Sequence, residues 1–285
     1  MSGSELEVLK MVFVTTVVSF YLIALPLYFL MRKRSPEAGW NLEGNVSVSA
    51  IRPWDLLVMG LYILIFSGFL VALEKMGGRQ MGEGEVTAGK VLGSSFTMLC
   101  LASLVPAALF WRVNLVEFLG LRWRAWVHVF WIMPTFVFGI LSIAAVSVSL
   151  GWQTWVEQAF NSEQQDVVQM IRDASDPWLL VAMAFSAVIV APIAEELIFR
   201  GFLYPVVKRF TDRWFAAVFT GVFFGVIHFN LYSFPIIAIM GIILAVIYEK
   251  TGSLWSVIGC HAAFNGLQVG LMILMKFVDL PIEAS

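Results

Sequence analysis

Eight apolar stretches, each close to the length that crosses a bilayer, constrain this chain more than any other feature. A transmembrane helix needs about 20 consecutive, mostly apolar residues. The predicted spans run approximately over residues 9–31, 54–73, 91–111, 125–150, 178–208, 213–231, 234–250 and 254–278. Only 13% of the residues are charged, about half the share in soluble domains. The sequence therefore predicts an all-α fold, a polytopic membrane helix bundle with about eight transmembrane helices.

Lysine and arginine are unevenly divided between the two sides of the predicted bundle. With the N-terminus outside, the inner segments hold 12 of these residues and the outer segments hold 6. Cytoplasmic loops of membrane proteins carry an excess of positive charge, so we expect a multi-pass protein with its N-terminus outside. The membrane that we expect for it is a prokaryotic plasma membrane. The acidic loop 151–177 then lies outside, as a short amphipathic or irregular element. The net charge of −2 argues against a nucleic-acid partner.

The last four predicted spans contain a small set of polar side chains away from their ends. Ionisable groups at membrane depth are costly and, where present, face a partner or a water-filled site. Two of the three histidines of the chain are in this set. Its members are Glu195, Glu196, Arg200, His228, His261, Asn265 and Gln268.

Residue spacing places several of these groups on common helix faces. Glu196 and Arg200 are four residues apart and can pair, and His261 and Asn265 point the same way from their helix. Glu195 is about 100° around the helix from Glu196, so it can face a different partner. Structural explanations exist for each group: a buried ion pair, a core histidine, or an asparagine that joins two helices.

Depth estimates bring the remaining groups to similar levels. At the rise of an α-helix, Glu195 and His228 lie about 21 and 22 Å from the basic turn at residues 209–213. His261 and Asn265 lie about 13 and 20 Å from the next turn along the chain. One carboxylate, two imidazoles and one amide at comparable depth predict a shared functional site.

Three short motifs follow one another on successive predicted helices. EELIFR occupies residues 195–200, FGVIH residues 224–228 and HAAFN residues 261–265. In this order they resemble EExxxR, FxxxH and HxxxN of the CAAX prenyl protease and bacteriocin-processing proteins, the Abi family of intramembrane proteases. The resemblance covers about residues 178–275. It implies a catalytic core at 178–278, joined in one membrane domain to the four N-terminal transmembrane helices and outer loop of residues 1–177.

The resemblance implies catalytic roles for four residues. Glu195 would be the general base and, with His228, would hold and deprotonate a water that attacks the scissile carbonyl. His261 and Asn265 would donate hydrogen bonds to the oxyanion of the tetrahedral intermediate.

The resemblance also implies supporting roles and leaves the question of metal open. Glu196 and Arg200 would form a supporting ion pair, and Phe224 would pack beside the histidine of the second motif. A mechanism without metal is preferred, because the third motif suits an oxyanion hole better than a zinc site. A zinc-dependent, metalloprotease-like version is the alternative, since two histidines and a glutamate can bind zinc. Its ligands would be Glu195, His228 and His261.

The predicted function is therefore that of an intramembrane endopeptidase resembling type II CAAX prenyl proteases. Its substrate would be a peptide or protein, prenylated or bacteriocin-like, that it meets near the cytosol-facing side of the bilayer. The sequence lacks the HExxH signature of zinc proteases such as thermolysin. Two alternatives from other classes stay open: a non-catalytic scaffold of the same fold, and a transporter in which the same polar residues relay protons.

Overall fold

Helices make up all of the regular secondary structure in the part of the chain that the structure, a computed structural model, describes. That part comprises residues 19–34, 44–83, 86–122, 126–160, 170–172 and 174–277, with Glu7, Val8, Met11, Val12 and Thr15. The helices are α1 (Leu25–Arg34), α2 (Asp55–Glu83), α3 (Ala88–Leu109), α4 (Leu115–Phe118), α5 (Trp126–Ser149), α6 (Trp152–Phe160), α7 (Pro177–Phe210), α8 (Arg213–Val226), α9 (Phe234–Thr251) and α10 (Leu254–Phe277).

Five of the described helices are long and apolar enough to cross a membrane: α3, α5, α7, α9 and α10. The predicted all-α membrane bundle is thus confirmed, but its count of about eight spans is not. The apolar part of α2, Asp55–Phe69, and the whole of α8 are shorter than the usual span. The first predicted span, 9–31, lies partly outside the described residues. The division at residue 177 stays a prediction.

Helix α7 contains two π turns, Ser186–Val190 and Phe199–Leu203. Each turn ends two residues before a proline, Pro192 or Pro205. Proline has no N–H, and its ring crowds the carbonyl four residues earlier, so the regular i to i−4 ladder cannot continue through it. The helix widens by one residue at each site, as π bulges do, and carries on in the same direction.

Helices α8 and α9 cross at glycines, where their backbones touch. A Cβ atom on Gly221 would lie 2.4 Å from Cγ1 of Ile242, and one on Gly225 would lie 2.9 Å from Cβ of Ala238. The four-residue spacing of these glycines, GVFFG at residues 221–225, is typical of close contacts between membrane helices, and the structure has such a contact here. This contact packs the second half of α8, which contains Phe224 of the FxxxH motif, closely against α9.

The predicted span 213–231 was too long, because α8 ends at Val226. Phe229 has a left-handed backbone, with φ of 48°, which a continuous helix does not allow. Asn230 Oδ1 then accepts hydrogen bonds from the Ser233 N–H at 2.9 Å and the Ser233 hydroxyl at 2.7 Å, closing a turn. His228 consequently lies just beyond the end of its helix, not within it.

The loop that follows His228 is covered by α6, the amphipathic element expected in the predicted outer loop. Trp152 Nε1 donates to the carbonyl oxygens of Leu231 and Tyr232, each at 3.2 Å. Val156 of the same helix is fully buried against this loop. Residues 161–169 and Asp173 of the predicted outer loop lie outside the described residues.

Candidate active site

Three of the four predicted catalytic side chains line one cavity of about 390 Å³: Glu195, His228 and Asn265. They come from α7, the turn after α8, and α10. The remaining wall consists of apolar and hydroxyl side chains, chiefly from α3 and the first half of α7. Gln268 is exposed and does not line this cavity, so the structure separates it from the other polar residues of the last four spans.

Glu195 presents a buried oxygen atom beside the cavity. Its side chain is 12% exposed, and its Oε2 has no hydrogen-bond partner within the described residues. The nearest recorded basic nitrogen is Nε2 of His261, at 3.8 Å, beyond hydrogen-bond distance. Buried polar atoms without partners are rare in folded proteins, so this oxygen is a candidate site for a ligand or a reacting molecule.

The neighbouring carboxylate, Glu196, is fully buried and paired. Its Oε1 accepts from the Arg200 guanidinium at 2.9 Å, in the predicted i, i+4 ion pair, and lies 2.9 Å from Nδ1 of His261. Arg200 also donates to the carbonyl oxygen of Gly241 on α9, at 2.6 Å. Three helices are therefore joined through one carboxylate and one guanidinium, and the two adjacent glutamates have different surroundings.

The contact with Glu196 decides which nitrogen of His261 carries a proton. An ionised Glu196 only accepts hydrogen bonds, so Nδ1 of His261 must donate to it. The opposite nitrogen, Nε2, lies on the Glu195 side. It accepts a hydrogen bond when the ring is neutral and donates one when the ring is an imidazolium. Sequence spacing did not reveal the contact between His261 and Glu196, because it joins residues 65 positions apart.

Phe224 separates the two histidines. Its ring centroid is 4.9 Å from that of His228 and 5.7 Å from that of His261, with tilted, edge-type geometry in both cases. The Arg200 guanidinium lies 5.0 Å from the same ring. Nδ1 of His228 is 2.7 Å from the Phe224 carbonyl oxygen, which as an acceptor requires a proton on that nitrogen. Nε2 of a neutral His228 is therefore an acceptor.

Asn265 is held by a backbone carbonyl in the first π turn of α7. Its Nδ2 donates to the oxygen of Ala187 at 2.8 Å. Within the helix this oxygen has lost both usual donors: the N–H of Ala191 bonds to Ser186 instead, and Pro192 has none. An amide nitrogen carries two protons, so the second N–H of Asn265 remains for the cavity. Pro192 indicates in the sequence that a carbonyl of this turn lacks a helix donor, but the sequence did not show that Asn265 supplies the replacement.

The proposed zinc ligands are not assembled as a metal site. Within the described residues, no group of three or more His, Cys, Asp and Glu side chains is placed to hold a metal ion. Nδ1 of His228 and Nδ1 of His261 are already bonded, to the Phe224 carbonyl and to Glu196. These bonds leave Nε2 of each histidine as the nitrogen that a metal would use, so the zinc-dependent version stays an alternative, and no reaction step is derived through zinc.

Fold and site together define an all-α membrane protein in which polar side chains from three helical segments surround a buried carboxylate. A family model described as "Type II CAAX prenyl endopeptidase Rce1-like" matches residues 177–267. All three motifs lie within this range, so the resemblance predicted from them is confirmed for this part of the chain.

A curated protein comparison gives a consistent result. The protein named "Putative membrane peptidase YdiL", from Bacillus subtilis strain 168, is 30% identical over 100 residues. The aligned stretch covers 35% of this chain and 37% of that protein. No solved structure matches. The match to the family model, over residues 177–267, covers the part of the chain that holds the candidate site.

Proposed function

We propose that this protein is an intramembrane endopeptidase and that Glu195, His228, His261 and Asn265 carry out the reaction. The observation that carries the proposal is the unpartnered Oε2 of Glu195 on the wall of a cavity that His228 and Asn265 also line. The similarity of residues 177–267 to CAAX prenyl endopeptidases supports the same class of reaction. Prenylated tails and bacteriocin-like peptides are the first substrates to test.

Glu195 is the general base in this proposal, and His228 helps to hold the water. The oxygen of the water forms a bond to the scissile carbonyl carbon while one of its protons moves to Glu195. Nε2 of His228 is an acceptor in the neutral ring and orients the second proton of the water. Glu195 then returns its proton to the amide nitrogen, and the carbon–nitrogen bond breaks to give a carboxylic acid and an amine.

Asn265 and His261 stabilise the negative charge on the former carbonyl oxygen. The second N–H of Asn265 donates to this oxyanion while the first remains bonded to Ala187. His261 donates through Nε2 only as an imidazolium, because its other nitrogen is committed to Glu196. Two carboxylates flank that ring, Glu196 at 2.9 Å and Glu195 at 3.8 Å. Glu196 and Arg200 keep the ring in place.

Purified protein in detergent or liposomes, supplied with a quenched fluorescent peptide library that includes prenylated tails, tests the proposal. We expect Glu195→Gln, His228→Ala and Asn265→Ala each to lose cleavage. The melting curve of Glu195→Gln should stay close to that of the wild type, whereas Asn265→Ala should also melt at a lower temperature, because it leaves the Ala187 carbonyl without its donor. Gln268→Ala is the matched control, since it removes an exposed polar side chain from the same helix as Asn265. Unchanged cleavage by Glu195→Gln would overturn the assignment of the base.

The same assay separates the alternatives. A scaffold cleaves nothing in any variant, and a proton-coupled transporter shows ion flux in liposomes that Glu195→Gln abolishes. Addition of a chelator tests the zinc-dependent version, because full activity in its presence excludes a required, exchangeable metal. We expect cleavage that survives chelation.

The orientation in the membrane determines which compartment supplies the peptide. Arg200 and Lys208, both counted among the inner positive charges, are buried. Without these two residues, the inner segments still hold ten Lys and Arg residues and the outer segments six, so we keep the orientation with the N-terminus outside. Met170 and Ile171 of the predicted outer loop line the cavity. In that orientation the cavity opens away from the cytosol, so it cannot also meet a peptide on the cytosol-facing side. We propose the outward opening.

Two single-cysteine variants measure this orientation. Ser175 lies in the segment near the cavity and Ser49 near the opposite end of the bundle, and both are exposed. In a Cys100→Ser background, with Cys260 buried, a membrane-impermeant maleimide should label Ser175→Cys in intact cells and Ser49→Cys only after permeabilisation. The reverse labelling would place the cavity on the cytosolic side.

A further inference from the structure

The hydroxyl of Ser95, on α3, reaches the π turn that holds Asn265. Its Oγ lies 2.7 Å from Oγ of Ser186, the first residue of that turn, and 2.8 Å from the Val91 carbonyl oxygen. A hydroxyl has one proton and can accept further bonds, so Ser95 joins its own helix to α7 through two hydrogen bonds. Helix α3 lies outside residues 177–267, the part that matches the family model.

Ser186 and Ala187 are consecutive, so a displacement of one moves the other. The Ser186 carbonyl accepts the N–H of Ala191 and thereby closes the π turn. The Ala187 carbonyl then depends on Asn265 as its donor. The direction of the Asn265 amide is therefore set by the position of the π turn, to which Ser95 is bonded from the other side.

We infer that Ser95 is a positioning residue, which orients Asn265 by fixing the π turn Ser186–Val190 against α3. The inference rests on the proposed function, in which Asn265 donates to the oxyanion. A misplaced donor binds substrate as well as before but stabilises the transition state less, so the loss falls on kcat and not on KM.

Ser94 provides a close control for Ser95. It is the neighbouring serine on α3, lines the same cavity, and bonds to the same Val91 carbonyl oxygen at 2.8 Å. No hydrogen bond from Ser94 to the π turn is recorded among the described residues. Removal of either hydroxyl deletes one oxygen from the same wall, but only Ser95→Ala detaches α3 from Ser186.

Steady-state cleavage by Ser95→Ala, Ser94→Ala and Ser95→Thr tests the inference. We expect kcat to fall about 10- to 100-fold in Ser95→Ala with KM unchanged, since a misplacement of about 1 Å in a catalytic group can cost about 100-fold. Ser94→Ala, which removes a hydroxyl from the same cavity wall but leaves the bond to Ser186 intact, should lower kcat less than Ser95→Ala does. Ser95→Thr, which keeps a hydroxyl at the position that bonds to Ser186, should restore most of the rate. Equal kcat values for the two alanine variants would overturn the positioning role.

Hydrogen exchange measured by mass spectrometry gives a second readout that needs no substrate. Amide exchange in peptides covering residues 183–192 should rise in Ser95→Ala and stay at the wild-type level in Ser94→Ala. Equal exchange in both variants would show that Ser95 does not fix the turn. If the wild-type protein cleaves no peptide, the proposed function fails, and the exchange comparison still decides whether Ser95 holds this part of α7.

Discussion

Two clusters of buried charge lie along the same helix, α7, and they differ in how completely their polar atoms are paired. In the Lys208 cluster, formed by Tyr204, Lys208 and Glu249, the ammonium contacts both oxygens of Glu249 at 2.8 and 2.9 Å. It also donates to the Val46 carbonyl at 2.9 Å, and the Tyr204 hydroxyl donates to Glu249 at 2.6 Å. Both carboxylate oxygens and the ammonium are thus used.

The Glu196 cluster, formed by Glu195, Glu196, Arg200 and His261, leaves atoms unused. Oε2 of Glu195, Oε2 of Glu196 and Nε of Arg200 have no hydrogen-bond partner within the described residues. This cluster borders the cavity through Glu195, and no member of the Lys208 cluster lines it. Burial of charge is common to both clusters, so it does not identify a reactive site. Incomplete pairing beside a cavity is the distinguishing feature.

The largest expected effect comes from exchanging a glutamate for glutamine in each cluster. Glu195→Gln should lower cleavage about 10²- to 10⁴-fold, the usual contribution of a general base, without lowering thermal stability. Glu249→Gln should lower the melting temperature in detergent and keep the activity of the remaining folded protein. If Glu249→Gln inactivated a fully folded protein, complete pairing would not distinguish the Lys208 cluster from a reactive site.

The next effect concerns the stability of the Lys208 cluster. Lys208→Met leaves Glu249 buried without its cation, which should cost about 3–5 kcal/mol of unfolding free energy. The double variant Lys208→Met/Glu249→Leu should recover part of this loss, because no unpaired charge remains. Melting curves of both variants in one detergent provide the measurement. A double variant less stable than Lys208→Met would show that the pair is not the relevant interaction.

A smaller loss of activity is expected from Glu196→Gln. The amide keeps the shape of the carboxylate but not its charge, so it holds His261 and Arg200 less firmly. Cleavage should fall roughly 10- to 100-fold through misplacement of the imidazole. Asp55→Asn is the control, because Asp55 is an equally buried carboxylate bonded to Arg112 at 2.8 and 2.9 Å, away from the cavity. It should lower stability and leave cleavage per folded molecule unchanged.

The smallest effect is expected at Gly241, whose carbonyl accepts a hydrogen bond from Arg200 and whose backbone packs against α8. A Cβ on Gly241 would lie 2.8 Å from Cα of Gly221 and 3.1 Å from Cβ of Phe224. Gly241→Ala should therefore cost about 1–3 kcal/mol through overpacking. Gly139→Ala, at a helical glycine with nothing within 4 Å, should be neutral or stabilising. Similar melting temperatures for the two variants would contradict the close packing of α8 on α9.

The sequence was sufficient to predict features that depend on local pattern. Apolar length located the long helices, and i, i+4 spacing predicted the pair of Glu196 and Arg200, which forms. Contacts between distant segments were not predictable in the same way. Lys208 was counted among the inner positive charges, yet it is buried. Its partner Glu249 lies 41 residues away on α9, so sequence spacing did not reveal the pair. The bonds of Ser95 and His261 to α7 were missed for the same reason.

Departures from regular helix geometry were the second kind of feature that the sequence did not reveal. Prolines within a helix are typical of a kink, but α7 has π turns before Pro192 and Pro205, and Asn265 replaces one of the lost backbone donors. The end of α8 before His228 depends on a left-handed phenylalanine, a conformation that the residue type itself disfavours. Tertiary contacts override local preference at both places, and both adjoin the candidate site.

The carbonyl of Ala187 has a consequence for how this protein is made. Neither Ala191 nor Pro192 supplies a donor to it, and its partner Asn265 is synthesised 78 residues later. Until α10 arrives, α7 alone in lipid would carry an unsatisfied backbone oxygen, at a cost of several kcal/mol. We therefore expect the integration of α7 into the bilayer to be completed only when α10 emerges from the ribosome, so a chain cut before α10 should remain with the insertion machinery or be degraded.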